Sequence, residues 1–440
     1  MLPSHPSVVT EDPLSTCESY ESDTVPLWLL ITKLLQQPVT NAKELTDIIS
    51  SLNHEAKFDT LHLVLQKIDF HHFITTSWPA MCKVGLSMPE LFPSGEVNVL
   101  HPGVESVVSL SRKQIACLLV HMFLCTLNLP VWNKYWVDFS IWYNSTSPPV
   151  TAYLLSLFEY FGQLDATGSP PNSDELVTFR RRVLASPLLW SSSNQELSQI
   201  TPSCSFEPGS RTEVDFANKD VSFGVSGSQE EAKLAASPET CVLVLLAPTL
   251  QNNETLLILG AREVAKFEGI GRQVKFVGRQ AYEEKDWSSR AIIAMDALEL
   301  DVEETDVQDT VIPELKQECL DRELNKAYCG FQPIVGDKPF SGIDTGHWGC
   351  GAFGGHKYAK ALIQVMAASE AGTKLIFHDI PPTSDFLQNL MDFISLLIQK
   401  HVTVGQLYSA MLETGRFIAG NKLQEYDVLS LLRCNLLSID

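Results

Sequence analysis

The chain has 440 residues, 45% of them hydrophobic, and a formal net charge of −21, which is ordinary for a globular protein and sufficient for two domains or one large one. The acidic balance argues against a general nucleic-acid binder, because such proteins need a basic face to displace counterions. The ten cysteines are scattered, with no CxxC pair and no Cys/His cluster at metal-ligand spacing, so we expect reduced, mostly buried thiols and no metal site.

The sequence predicts neither a secretory signal nor a membrane span. Its N-terminus lacks a basic segment followed by an apolar run. The most apolar window, 115–127, is too short to cross a bilayer and carries His121 in its middle. We therefore expect a cytoplasmic or nuclear protein without membrane contact.

A disordered start followed by a helical domain is predicted for the first third of the chain. Residues 1–24 are rich in Ser, Pro and acidic side chains, a composition typical of disorder. From 25 to 165 apolar residues recur at helical spacing, and Ser111 with Gln114 is typical of a capping box. We interpret 25–165 as a helical accessory domain, in which the Trp and Tyr residues of 132–143 are packing aromatics rather than ligand contacts.

The remainder is predicted to be a junction and an α/β domain. Residues 166–211 are polar and rich in Pro, Ser and Gly, so we interpret them as a loop-rich junction, and the basic triplet 180–182 as a solvated helix face. From 212 to 440 short apolar runs alternate with helical patterns, which predicts a mixed sheet flanked by helices. The predicted strands are 214–217, 241–246, 255–259, 291–295 and 375–377, and the predicted helices are 229–236, 314–326, 355–369, 384–400 and 404–415.

Residues 214–231 concentrate polar chemistry in a short space. A buried strand is followed by a loop rich in Gly and Ser, and Gln229 opens a helix. Such an arrangement directs several backbone N–H groups at one point, which attracts phosphate or another anion. Beside a bound sugar diphosphate, the adjacent carboxylates Glu230 and Glu231 suggest glycosidic chemistry. The spacing of Ser228 and Glu231 equally fits a capping box whose Glu only satisfies backbone donors.

Three sequence blocks stand in a characteristic order. They are 215–219 (DFANK) with 229–231 (QEE) behind a glycine loop, 322–331 (RELNKAYCGF) and 345–355 (TGHWGCGAFGG). Together they resemble the signature of the poly(ADP-ribose) glycohydrolases, most specifically over 212–366. The resemblance implies a macrodomain-like fold for 212–440 and hydrolysis of ribose–ribose O-glycosidic bonds. It also implies poly(ADP-ribose) or ADP-ribose as ligand, poly(ADP-ribosyl)ated proteins as partners, no cofactor and a monomer.

The resemblance assigns roles around the first glycine loop. The family's general acid is the second of two consecutive glutamates, here Glu231. Glu230 would hydrogen-bond ribose hydroxyls and Gln229 would support the loop. Asp215 would hold the diphosphate loop in place and Asn218 would position substrate, although an Asp and an Asn at a strand end also commonly close an Asx-turn.

A second glycine loop, 345–355, carries the other expected ligand contacts. Its glycines, among them Gly349 and Gly351, would let the backbone approach phosphates with no Cβ in the way. Phe353 matches a family aromatic beside the terminal ribose. His347 occupies a ligand position where the family has Asn.

The sequence departs from the family pattern at ligand positions. Ser222, Phe223 and Gly224 stand where the family has three consecutive glycines, and the segment that follows is shorter. Gly224 still supplies a substrate-binding glycine, whereas the ring of Phe223 is large enough to occupy the diphosphate space. Ile270 replaces a family Tyr, and the position of the adenine-stacking aromatic falls near Ile380.

Two functions therefore follow from the sequence. A working glycohydrolase with a reshaped pocket is favoured by Asp215, Asn218 and the 229–231 triplet. A catalytically impaired relative that binds ADP-ribose or poly(ADP-ribose), or acts as an interaction scaffold, is favoured by the altered loop and the missing aromatics. A dinucleotide oxidoreductase is disfavoured, because no GxGxxG follows a strand near the start of an α/β unit.

Overall fold

The computed structural model describes residues 1–11, 24–54, 56–203, 212–280, 287–300, 312–333, 340–379, 385–421 and 427–437. Its strands are β1 (Val9–Glu11), β2 (Thr24–Pro26), β3 (Ser106–Ser111), β4 (Leu176–Val183), β5 (Thr201–Ser203), β6 (Thr212–Ala217), β7 (Glu254–Leu259), β8 (Ala265–Glu268), β9 (Lys275–Arg279), β10 (Ala291–Asp296), β11 (Ile343–Thr345) and β12 (Leu375–His378).

Helices surround these strands. They are α1 (Leu27–Leu35), α2 (Ala42–Leu52), α3 (Asp59–Leu65), α4 (Phe70–His72), α5 (Trp78–Leu86), α6 (Met88–Leu91), α7 (Arg112–Phe123), α8 (Ser140–Tyr143), α9 (Pro148–Phe161), α10 (Gln229–Ala236), α11 (Leu243–Leu246), α12 (Gln317–Phe331), α13 (Lys357–Ala371), α14 (Phe386–Gln399), α15 (Val404–Asn421) and α16 (Val428–Leu437). Within the described ranges none is both long and apolar enough to cross a membrane.

A mixed sheet of eight described strands forms the centre of the fold, in the order β3-β4-β7-β10-β6-β11-β12-β5. From β10 to β5 neighbouring strands are parallel, whereas β3, β4, β7 and β10 pair antiparallel. The predicted α/β class with a mixed sheet is therefore confirmed. The apolar runs predicted as strands at 255–259, 291–295 and 375–377 lie in this sheet as β7, β10 and β12.

Two hydrophobic cores lie on the two faces of the sheet. One contains α10 and most of the helices before residue 165, and the other contains α12 to α16. Strand alternation divides the side chains between them, since Ala217 of β6 belongs to the first core and Val214 to the second. The helical segment also supplies β3 to the sheet. The helical and α/β parts therefore both contribute side chains to the first of these two cores.

Capping residues start two of the N-terminal helices, and the sequence indicated the cap at Ser111. The hydroxyl of Ser111 accepts a hydrogen bond from the Gln114 N–H at 3.2 Å, and the Ser111 N–H donates to the Gln114 side chain at 2.9 Å. Asn41 accepts from the N–H of Glu44 at 3.0 Å at the start of α2. The predicted capping box is confirmed.

The predicted disorder of residues 1–24 is wrong for residues 1–11. Strand β1 pairs antiparallel with β2. The side chains of Leu2 and Val8 are buried, and the Leu2 N–H donates to the carbonyl of Gly95 at 2.8 Å. Burial of these apolar side chains offsets the cost of ordering a polar segment. Residues 12–23 lie outside the described part of the chain.

The interpretation of 180–182 as a solvated helix face is wrong. These residues lie in β4, inside the segment predicted as a junction, and Arg181 and Arg182 are buried. The Arg181 guanidinium forms an ion pair with Glu254 and donates to the Leu100 carbonyl at 2.9 Å. These partners are far away in sequence, so local composition gave no sign of them. The junction thus contributes β4 and β5 to the sheet.

The predicted strand 241–246 is also wrong. A 3-10 turn, Pro238–Val242, leads directly into α11 there, and all its residues are buried. A short, uniformly apolar run has no period that separates a buried strand from a buried helical turn. Pro238 at the start of the turn fixes a backbone angle compatible with helical geometry.

Arg181→Ala should strongly destabilise the protein, because it leaves the buried Glu254 carboxylate without its cation. Removing one partner of a buried ion pair costs about 3–5 kcal/mol. Urea titration should show this loss, while Arg180→Ala, at a half-buried neighbour on the same strand, should cost about 1 kcal/mol. The double variant Arg181→Met, Glu254→Met should recover much of the loss. An Arg181→Ala protein as stable as the wild type would contradict the pair.

Candidate active site

Most of the predicted site residues lie where the carboxyl ends of β6 and β11 meet. These strands are parallel neighbours, yet α10, which follows β6, packs into one core and α13, which follows β11, packs into the other. Adjacent parallel strands whose connections leave to opposite faces open a crevice at their carboxyl ends, where ligands bind in such sheets. We call 218–228 the first loop and 346–356 the second loop.

Gln229 ties the helix end of the first loop to β6, and Asn218 closes a turn within the loop. The Gln229 amide accepts from the Phe216 N–H at 2.8 Å and donates to the Val214 carbonyl at 3.0 Å. The Asn218 side chain accepts from the Asp220 N–H at 3.0 Å, which closes an Asx-turn. Gln229 therefore supports the loop, and Asn218 shapes its first turn.

Glu230 and Asp215 lie buried beneath the first loop. The Glu230 carboxyl group accepts from the N–H groups of Asn218 at 3.0 Å and Ser222 at 3.1 Å. Neither carboxyl oxygen of Asp215 has a hydrogen-bond partner in the described ranges. Burial raises the pKa of Asp215 to about 7, against the opposing charge of Lys233. Burial, with Asp215 adding to it, also raises the pKa of Glu230, so this pair retains a proton near neutral pH.

Glu231 is held by its own loop. Its Oε2 accepts from the N–H groups of Ser226 at 2.7 Å, Gly227 at 2.6 Å and Ser228 at 3.1 Å, and from the Ser226 hydroxyl at 2.7 Å. The Ser228 hydroxyl accepts from the Glu231 N–H in return, so the alternative that we left open, a capping box, is present. Oε1 accepts no hydrogen bond in the described part of the chain and lies against Gly224, where a Cβ would come within 2.0 Å of it.

Phe223 does not fill the crevice. Its ring is fully buried in the core on the helical-domain side, 5.1 Å from the ring of Phe139 and 5.2 Å from that of Trp142. The backbone around it is bonded to the same domain, since the indole of Trp136 donates to the Phe223 carbonyl at 2.6 Å. The expectation that this ring competes for the diphosphate space is therefore wrong, because an apolar pocket beneath the loop takes it.

The second loop needs glycine for reasons of its own. Gly349 has a φ of +72°, and a Cβ there would lie 2.5 Å from the Ala297 Cβ and 2.6 Å from the Lys360 Cε. Gly351 is exposed, and a Cβ there would meet nothing within 4 Å. Phe353 is half-buried, and its carbonyl accepts from the Leu300 N–H at 3.0 Å. Gly351 is thus open to an incoming group, whereas Gly349 is fixed by packing.

His347 lies in the second loop, beside the residue that follows β12. Its Nε2 is 2.7 Å from Oδ1 of Asp379, and its ring packs 4.8 Å from that of Phe386. Its Nδ1 is buried without a hydrogen-bond partner within the described ranges. The ring is therefore oriented by one carboxylate, which leaves one nitrogen for another contact.

The hairpin β8–β9 reaches the first loop from the side. The N–H of Gly271 donates to the carbonyl of Gly227 at 3.1 Å. Next to it, Ile270 at the hairpin tip is 54% exposed, so the substitution of the family Tyr leaves an apolar side chain at the loop. The other substituted aromatic position, near Ile380, lies outside the described residues. Nor do the described residues contain a group of three His, Cys, Asp or Glu placed to hold a metal ion.

Two family models match successive parts of the chain. Residues 65–181 match the helical domain of poly(ADP-ribose) glycohydrolase, and residues 188–383 match its macro domain fold. The chain belongs to the poly(ADP-ribose) glycohydrolase family. Its mixed sheet with the flanking helices is accordingly a macro domain, preceded by the family's helical domain, as the resemblance implied.

Named relatives of the family align over most of this chain. Probable poly(ADP-ribose) glycohydrolase 2 of Arabidopsis thaliana is 23% identical over 417 residues, which cover 76% of this chain and 77% of that protein. Poly(ADP-ribose) glycohydrolase 1 of the same plant is 25% identical, with 76% and 75% covered. Poly(ADP-ribose) glycohydrolase 1 of Caenorhabditis elegans is 30% identical over 71% of this chain but only 41% of its own length.

Residue patterns alone missed the side chains that hold the first loop from the helical domain. The indole of Trp142 donates to the Gly224 carbonyl at 2.8 Å, and the Ser147 hydroxyl donates to the Val225 carbonyl. Together with Trp136 they bond three consecutive carbonyls. The density of aromatic residues at 132–143 was the available signal. It indicated packing, but it did not indicate which segment these residues pack against.

Gly224→Ala should displace the Glu231 carboxyl group, because the new Cβ would lie 2.0 Å from Oε1 and 2.8 Å from Cδ. Losing a helix cap costs about 1 kcal/mol, so we expect the free energy of unfolding to fall by about 1–2 kcal/mol in urea titration. Gly351→Ala is the matched control and should change stability by less than about 0.5 kcal/mol. Equal stabilities for the two variants would contradict the placement of Glu231.

Asp215→Asn should remove part of the pH dependence of stability. Because burial raises the folded-state pKa of Asp215 from 3.8 to about 7, the folded protein holds a proton that the unfolded chain releases. This group therefore lowers wild-type stability as pH rises between these two values, and the loss levels off above the folded pKa. The neutral amide of the variant does not lose stability in this way. As pH rises, the free energy of unfolding of the variant should therefore increase relative to that of the wild type, by about 1.4 kcal/mol per pKa unit of the shift. Urea titrations at pH 5 to 8 that give parallel curves would contradict the shift.

Proposed function

We propose that this chain hydrolyses the ribose–ribose O-glycosidic bonds of poly(ADP-ribose) and releases ADP-ribose, with Glu231 as the general acid. The observation that carries the proposal is the asymmetric setting of the Glu231 carboxyl group. Oε2 is fixed by four donors of the first loop, whereas Oε1 accepts none from the described residues and lies under Gly224. Family membership supports the same reaction, and so do the carboxyl ends of β6 and β11, from which the connections leave to opposite faces of the sheet.

The asymmetry suits a proton donor. A general acid must present one oxygen to the leaving group in a fixed orientation, and the donors on Oε2 supply that orientation. In the proposed step Oε1 gives its proton to the leaving ribose oxygen as the glycosidic bond breaks. Water then adds to the anomeric carbon, and its proton returns to the carboxylate.

The buried carboxyl pair acts through the loop in this proposal. Glu230 accepts the N–H groups of Asn218 and Ser222, which fixes the loop on both sides of its first turn. Its remaining lone pairs are the ones available to ribose hydroxyls. Burial raises the pKa of both Asp215 and Glu230, so a proton retained on one of them avoids two uncompensated charges in one apolar space.

Diphosphate binding is assigned to backbone N–H groups rather than to side-chain cations. The net charge of −21 gives no overall attraction for an anionic polymer. The open Gly351 leaves the backbone of the second loop accessible to a phosphate group, whereas the N–H groups of Ser226, Gly227 and Ser228 before α10 are taken by Glu231. Asn218, His347 and Phe353 complete the proposed ligand contacts.

A second function is favoured by one observation. The reciprocal hydrogen bonds between Ser228 and Glu231 make a complete capping box, which stabilises α10 whether or not any chemistry occurs. With Ile270 at the place of the family Tyr, the crevice then binds ADP-ribose or poly(ADP-ribose) without cleaving it. The two functions share the ligand and differ only in the use of Glu231.

Glu231→Gln separates the two functions, because glutamine also fits the capping box but carries no transferable proton. We expect release of ADP-ribose from labelled poly(ADP-ribose), followed by chromatography, to fall at least about 100-fold, with an unchanged melting temperature. Glu231→Ala should lose both the activity and about 1 kcal/mol of stability.

Binding of the labelled polymer, followed by fluorescence anisotropy, completes the test. A Glu231→Gln protein that releases ADP-ribose at the wild-type rate would refute the role of Glu231. A wild type that binds the polymer and releases nothing would establish the second function instead.

A further inference from the structure

We infer that the helical domain positions the proposed acid, through Trp136, Trp142 and Ser147 as hydrogen-bond donors and Phe223 as the buried anchor of the first loop. This inference rests on the proposed function, because it names the residues that place Glu231 for the reaction. None of the four contacts Glu231 through a hydrogen bond within the described ranges, so we assign them positioning roles rather than catalytic ones.

The three donors act on consecutive carbonyls of the first loop. Trp136 Nε1 donates to the Phe223 carbonyl at 2.6 Å, Trp142 Nε1 to the Gly224 carbonyl at 2.8 Å, and Ser147 Oγ to the Val225 carbonyl. Surface loops normally satisfy such carbonyls with water or with their own turns. Here every one of them is bonded to a side chain of one short segment of the helical domain, so the loop backbone cannot shift without losing these bonds.

Phe223 adds an apolar anchor at the same place. Its fully buried ring contacts Phe139 and Trp142, which are themselves stacked with ring centroids 4.7 Å apart. At the position where the family pattern has a glycine with a flexible backbone, this chain has Phe223, whose side chain packs into the helical domain. The anchor thus replaces conformational freedom of the loop with tertiary packing.

The held backbone is the backbone that faces the acid. Gly224 lies against both Oε1 and Cδ of Glu231. Ser226 and Gly227, two and three residues further along the loop, donate hydrogen bonds to Oε2. A movement of Gly224 is therefore transmitted directly to the carboxyl group. Misplacing a catalytic group by about 1 Å costs on the order of 100-fold in rate.

The test compares Trp142→Phe and Ser147→Ala with three controls. Ser147→Thr keeps the hydroxyl. Trp190→Phe removes a buried indole that donates to Asn325 at 3.0 Å in the other core. Glu231→Gln keeps the cap and removes the acid. The readouts are kcat and KM for release of ADP-ribose at a temperature well below unfolding, and hydrogen exchange by mass spectrometry of peptides that cover 221–234.

Positioning predicts a kcat at least about 10-fold lower in Trp142→Phe and Ser147→Ala, with KM within about twofold and faster exchange at 221–234. Ser147→Thr should restore both readouts, and Trp190→Phe should lower the melting temperature without altering either. If Trp142→Phe and Ser147→Ala match Trp190→Phe in kcat and in loop exchange, the inference is overturned.

The exchange readout separates this inference from the proposed function. If the wild type releases no ADP-ribose but exchange at 221–234 rises in Trp142→Phe and not in Trp190→Phe, the proposed function fails and the hold of the helical domain on the loop stands. If release is normal in the wild type and in both loop variants, the proposed function stands and the positioning role fails.

Discussion

Repulsion between carboxyl groups is the constraint around which the crevice is built. Glu213, Asp215, Glu230 and Glu231 lie on β6 and the first turn of α10, three of them buried. Although burial alone would raise it, Lys233 and Arg290 lower the pKa of Glu213 to about 2. Within the described residues Asp215 and Glu230 have no cation at hydrogen-bond distance, and burial raises the pKa of both, while Glu231 accepts the N–H groups at the start of the helix. The four carboxyl groups therefore have different surroundings, and within the described residues Glu231 is the one whose Oε2 accepts four hydrogen bonds while its Oε1 accepts none.

The same constraint explains why the two halves of the chain form one unit. The N–H groups of the first loop donate to the carboxyl groups of Glu230 and Glu231. Its carbonyl groups instead accept hydrogen bonds from side chains of the helical domain. The helical domain in turn contributes β3 and part of the core beneath the sheet. Folding of the macro domain and definition of the loop thus depend on the same packed surface.

Local signals predicted α10 at its observed bounds, because Ser228 and Glu231 carry the capping information within four residues. The apolar runs of β7, β10 and β12 also predicted these strands correctly. The sequence could not predict the burial of Arg181, since Glu254 becomes its neighbour only when β4 and β7 pair. Nor could it predict which way the Phe223 ring points, because that depends on a pocket formed by residues more than 80 positions earlier. Candidate site residues were recognisable by type, whereas their bonding was set by tertiary contacts.

The contact between Gly227 and Gly271 has a consequence for engineering. A Cβ on Gly227 would lie 2.2 Å from the Gly271 carbonyl oxygen and 2.9 Å from Pro149 Cγ, so the first loop is closed in by the hairpin on one side and α9 on the other. A longer loop grafted next to Gly227 would therefore have to displace the hairpin tip or α9. The hairpin tip would have to be exchanged with it, which makes the two segments a single module for transplantation between relatives.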